Sequence, residues 1–137
     1  VPDLLRRPCV LTRTSFDYAV IRVVPRVERA EFLNAGVILF CLERRYLGAR
    51  VHTDEPRLKV LWPDLDVDLV RSRLEAVSKV CSGAEDGGPL ARLPIRQRFH
   101  WLVAPRSTMI QVSPVHTGIC DEPEHCLQEL FRQLVLS

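Results

Sequence analysis

The hydrophobic pattern is densest between Phe16 and Glu43, FDYAVIRVVPRVERAEFLNAGVILFCLE, where two apolar runs flank a short charged link. The first run, Phe16 to Val24, is rich in β-branched and aromatic residues and too short for a typical helix, so it predicts a strand. Both of its alternating faces are mostly apolar, as in a central strand covered on both sides. Arg22 breaks the pattern on the face it shares with Phe16, Tyr18, Val20 and Val24, where a guanidinium needs a partner or the mouth of a cleft. Pro25 ends the strand, and VERAEFL supplies one or two helical turns before Asn34-Ala35-Gly36. A second strand is expected over about Gly36 to Leu42, antiparallel to the first because the link is too short for a parallel crossover. Glu43-Arg44-Arg45 reads as a tight turn into a third strand, Tyr46 to His52, which makes a meander.

The period then changes. Asp54-Glu55-Pro56 places a capping carboxylate and an early proline before a short helix, RLKVLW. In DVDLVRSRLEAVSKV, Val67, Val70, Leu74, Val77 and Cys81 step by three or four and predict one buried stripe, with Asp66 or Asp68 as cap and SGAEDGGP as stop. IRQRFHWLVA spaces Ile95, Phe99 and Leu102 as a helix, leaving Arg96, Gln97 and His100 more exposed. Thr108 to Ser113 alternates as a half-buried late strand would, and Ser113-Pro-Val-His-Thr-Gly reads as the turn leaving it. Asp121-Glu122-Pro123 caps a last helix that buries Leu127, Leu130, Phe131 and Leu134. The expected fold is α+β: a small, mainly antiparallel sheet, a meander plus a late strand, covered by helices. Residues 1–15 are read as an N-terminal arm and 16–137 as a single domain.

Composition narrows the setting more than the chemistry. With 137 residues, 26% charged and 47% hydrophobic, the chain suits one soluble globular core. No apolar run approaches the roughly 18 residues of a membrane span, and the opening VPDLLRRPCVL lacks the layout of a signal peptide. A cytoplasmic location without membrane contact is the expectation. A net charge of +2 does not imply nucleic acid, and no recognised nucleic-acid motif accompanies Arg44, Arg45, Arg50, Arg96 and Arg98 or the aromatic Tyr46 and Trp101. Seventeen of the nineteen basic residues are Arg, the exceptions being Lys59 and Lys79. Bidentate forks are therefore available to any anion site, though a GC-rich genome produces the same bias. The five cysteines, Cys9, Cys41, Cys81, Cys120 and Cys126, are odd in number and contain no C-x-x-C, so a disulfide framework is not expected.

Three segments, YAVIRVVPRVERAEFLNAGVILFC, RFHWLVAPRSTMIQ and SPVHTG followed by a Cys and a terminal helix, resemble a bacterial family catalogued as domain of unknown function 3037. The resemblance runs from about Phe16 to the end and carries no established activity. It implies an accessory role, since members are often encoded beside kinases resembling HipA.

The polar residues of these segments, Arg22, Arg26, Asn34, Arg106, Ser107, Thr108, Ser113, His116 and Thr117, form the candidate ligand-binding set. If the sheet gathers them, the guanidinium forks and hydroxyls could hold a phosphate or carboxylate. The structural alternative pairs Arg22 with Glu28 or Glu31 and leaves the hydroxyls to cap turns. HTGICDEPEHC offers four soft metal ligands, His116, Cys120, His125 and Cys126, at spacings unlike zinc knuckles, so no metal or other cofactor is expected. Cys120 ahead of a helix, with His116 nearby, has the ingredients of an activated thiol but no evident third group. Two functions remain: a binding or accessory module that docks a protein partner, such as a HipA-like kinase, or a small enzyme or ligand binder with an anion pocket around Arg22, Arg106 and His116.

Overall fold

The computed structural model describes residues 13–136. Five strands, β1 (Thr14–Val23), β2 (Leu33–Cys41), β3 (Tyr46–Val51), β4 (Ile110–Val112) and β5 (His116–Cys120), form one antiparallel sheet. Its helices are α1 (Glu55–Leu61), α2 (Val67–Ser82), α3 (Ile95–Leu102) and α4 (Pro123–Phe131), and a π-helical turn follows at Arg132–Leu136. The fold class is α+β, with the expected meander in the order β3-β2-β1. Residues 1–12 of the expected arm, including Cys9, lie outside the described residues, and β1 begins at Thr14 rather than Phe16.

Alternation places two apolar layers back to back. Ile21 and Val23 of β1 with Ile38 and Phe40 of β2 face α1, α2 and α3, where Leu58, Val70, Leu74, Phe99 and Leu102 complete one core. Phe16 of β1 and Val37, Leu39 and Cys41 of β2 face the other way, onto Leu127 of α4 and Val135 of the π-helical turn. The central strands are thus covered on both faces, as their unbroken apolar runs require. The α2 stripe holds Val67, Val70, Leu74 and Cys81 as expected, with Val80 more deeply buried than Val77. Asp66 caps α2 through the Leu69 N–H and Asp54 caps α1 through the Arg57 N–H. Gly83 ends α2 in the left-handed region at φ 71, where a Cβ would be strained.

VERAEFL forms the shorter of the expected lengths, a single three-residue 3-10 turn, Val27–Arg29, and buries no residue that could anchor a longer helix. Two expectations are corrected. Glu122 makes no side-chain cap for α4. The late strand is present as Ile110–Val112, but of the segment read as the turn leaving it only 113–115 turns, and His116–Cys120 forms β5. β1 is ten residues long while β4 pairs only Ile21 to Val23, so the upstream half, Thr14 to Tyr18, takes β5 as a second neighbour on the same edge. At the junction Ser113 is buried: its N–H donates to the Val20 carbonyl at 2.8 Å, and its hydroxyl accepts from the Val20 N–H at 2.9 Å. On the other side of β1 the register slips, Ile21 facing Gly36 and Arg22 facing Asn34, so Ala35 is a bulge. A Cβ on Gly36 would come within 2.6 Å of the Arg50 carbonyl oxygen, so this close approach of β3 requires glycine.

Candidate functional site

The sheet divides the predicted polar set instead of gathering it. Arg22 lies on the α4 face with its guanidinium over the Phe32 ring, 4.2 Å from the centroid, and its Nε is buried without a hydrogen-bond partner. The carboxylates proposed for it are engaged elsewhere: Glu28 accepts from Arg26 at 3.0 Å, and Glu31 accepts from Arg29 at 2.9 Å. These fork contacts hold the Glu31 carboxyl below the usual carboxylate range, while backbone donation followed by Arg26 does the same for Glu28. Asn34, opposite Arg22, donates to the Leu134 carbonyl at 3.1 Å and pins the C-terminal turn to β2. Ser113 serves the strand junction. Thr117 donates to Asp17 at 3.0 Å, and His116 packs its ring 5.3 Å from that of Tyr18. Ser107 is exposed in the loop before β4.

Arg106 and Thr108 do enter a cleft on the opposite face. It has a volume of about 470 Å³ and lies between α2, the 3-10 turns after it, the end of α3 and the loop into β4. Val77, Val80, Leu90, Leu102 and Ile110 make an apolar floor. Trp101 forms a wall and remains 45% exposed, large for a tryptophan flanking a core. The Arg106 guanidinium stacks 4.0 Å from the Trp101 ring centroid and donates to the Trp101 carbonyl, which caps α3 and fixes both side chains. Arg73, Glu75 and the Lys79–Asp86 ion pair, 2.8 Å, complete a mixed-charge rim. Arg98, one of the arginines weighed above for nucleic acid, donates to the Val80 and Cys81 carbonyls at 2.9 and 3.1 Å, closing the end of α2 against α3. Sequence reasoning had Trp101 only as an aromatic accompanying the arginines; the signal that links it to Arg106 is their spacing across a helix end.

The cysteine and histidine cluster does not converge. His116 and Cys120 share one face of β5 but stand four residues apart, about 13 Å along an extended strand. Cys120 points into the core, where burial, with Cys126 next to it, pushes the thiol up to about 12. His125 is exposed on α4, and among the described residues no group of three or more His, Cys, Asp or Glu is placed to hold a metal ion. At about pH 8 a thiol near 12 is thiolate roughly once in ten thousand molecules, against roughly a quarter for an ordinary cysteine. Iodoacetamide should therefore label Cys120 of the folded protein more than a hundredfold slower than of the denatured chain. Equal rates in a peptide-mapped time course would contradict the buried placement.

Fold and site define a small α+β domain whose concave face is a tryptophan-walled apolar cleft, with its arginines divided between the two sides of the sheet. The chain belongs to the DUF3037 family, described as proteins of unknown function, whose sequence profile matches residues 18–135. No curated protein and no solved structure matches the chain. Among the described residues no helix is long and apolar enough to cross a membrane.

Proposed function

We propose that this domain is a binding module that docks a protein partner through the Trp101–Arg106 cleft. The observation that carries the reading is the exposed tryptophan, braced by arginine over an apolar floor. Tryptophan and arginine dominate the energetics of protein interfaces because a large rigid ring buries much area at little entropic cost. The partner would insert an apolar side chain against Val77, Val80 and Leu102 and set a carboxylate near Arg73 and Arg106. The family resemblance makes a HipA-like kinase the first partner to try, in a bacterial, cytoplasmic setting. The alternative, an anion pocket, keeps Arg106 and Thr108 but has Arg22 and His116 on the far side of the sheet, which weakens it.

The test replaces Trp101 by a photo-crosslinking phenylalanine analogue in the native host, identifies the covalent adduct, and titrates that protein calorimetrically with wild type and Trp101→Ala. Trp101→Ala should weaken binding by about tenfold or more with the fold unchanged. An adduct that binds both proteins equally would contradict the assignment. A phosphorylated metabolite that stabilises wild type but not Arg106→Ala would favour the anion pocket.

A further inference from the structure

A second surface, which shares only Lys79 with the cleft, is the free edge of β3. The antiparallel ladder fixes which of its backbone groups are used. His52 donates to the Ala35 carbonyl at 2.8 Å, so in the register Val37–Arg50, Leu39–Gly48 and Cys41–Tyr46 the hydrogen-bonded pairs alternate from there. Leu47, Ala49 and Val51 consequently turn their N–H and C=O groups away from β2, and among the described residues these groups make no hydrogen bond. An open edge is a template for another strand, and folded proteins usually blunt it with proline, a bulge or unpaired charge. YLGARV contains neither proline nor bulge, and its one charge, Arg50, is tied to Glu124 at 3.1 Å.

The edge is recessed. Ser78, Lys79 and Ser82 of α2 form one wall and Glu124 of α4 the other, enclosing a groove of about 500 Å³. Tyr46 spans the α4 side, its ring over Gly48 and its hydroxyl donating to Glu124. The tyrosine and Arg50 together hold the Glu124 carboxyl below its ordinary range. On the α2 side Leu47 and Ala49 offer small apolar clearance.

We infer that this groove takes one extended peptide segment of a partner as an added strand alongside β3. Backbone donors and acceptors spaced at two residues are complementary to another extended backbone, and alternate side chains of that segment would meet the Ser78, Lys79 and Ser82 wall on one face and Tyr46 and Glu124 on the other. The β3 edge of a second copy carries its own α2 and α4 walls, which would meet these walls head on, whereas a lone segment brings none, so the occupant is a lone segment.

The test selects peptides of about ten residues from a phage-displayed library on the immobilised full chain. Hydrogen exchange is then measured with and without the enriched peptides. The expected result is about tenfold or greater slowing of exchange at Leu47, Ala49 and Val51, with binding lost on Ala49→Pro and on N-methylation of alternate peptide amides. Trp101→Ala should leave peptide binding unchanged, so failure here is distinct from failure of the cleft reading. Because Ala49→Pro could unfold, the N-methylated peptides decide independently. No enrichment, binding that survives N-methylation at every position, or peptide-induced protection confined to α2 and α3 would overturn the inference. Concentration-dependent protection of β3 without peptide would overturn it in favour of a second copy.

Discussion

Phe99→Ala is expected to lower the stability of the domain by about 3–5 kcal/mol. Phe99 is 2% exposed and stacks on Phe40 with ring centroids 4.9 Å apart, so it is the contact through which α3 grips the sheet. Truncation loses the transfer free energy of the ring and leaves a void that the surrounding elements can fill only in part. α3 is held from both sides: Phe99 fixes it to β2, and the neighbouring Arg98 fixes it to the end of α2. The wall that carries Trp101 depends on the same helix, so the variant should also loosen the cleft. For a domain whose total stability is about 5–15 kcal/mol, the urea midpoint should fall steeply with little change in slope. A loss below about 1 kcal/mol would mean that α3 does not pack as described.

Leu127→Ala should cost about 2–5 kcal/mol from the opposite face. Leu127 is 2% exposed and packs α4 into the layer formed by Phe16, Val37, Leu39 and Cys120. It shares no core cluster with Phe99, and the sheet lies between them. The double variant should therefore lose the sum of the two single losses within about 0.5 kcal/mol, provided it remains folded enough to measure. A single apolar core would predict strong coupling instead, so the unfolding cycle tests whether the central strands are buried on both sides.

Most of the scaffold was legible because its signals are local. β1 and β2 announce themselves by continuous apolar, β-branched runs, β3 by the tight polar turn Glu43-Arg44-Arg45 that precedes it, and α2 by a stripe of period 3.6 closed by Asp66 and Gly83. β5 was not legible. HTGIC is interrupted by Gly118 and carries an apolar Ile119 that is 69% exposed, so it has no half-buried alternation to read. It is a strand because β1 has an unpaired upstream edge, which is a property of the sheet and not of those five residues. The same distinction governs the candidate residues. Arg22 announced a need that sequence could state, but the ring that meets it, Phe32, is ten residues away beyond a turn. Ser113 looked like a ligand donor and serves Val20 across the strand junction. Arg106 and Thr108 were found for their polarity, whereas what makes their cleft distinctive is an apolar floor drawn from α2, the turn after it, α3 and β4, of which sequence showed only single residues as parts of separate elements.

Docking through Trp101 is decided by calorimetric titration of the protein crosslinked at position 101 with wild type and Trp101→Ala. The expected result is a 1:1 complex with wild type and a dissociation constant about tenfold or more larger for the variant, at unchanged thermal stability of the free domain. Equal affinity for both proteins would contradict it and remove the Trp101–Arg106 cleft from the function of this domain.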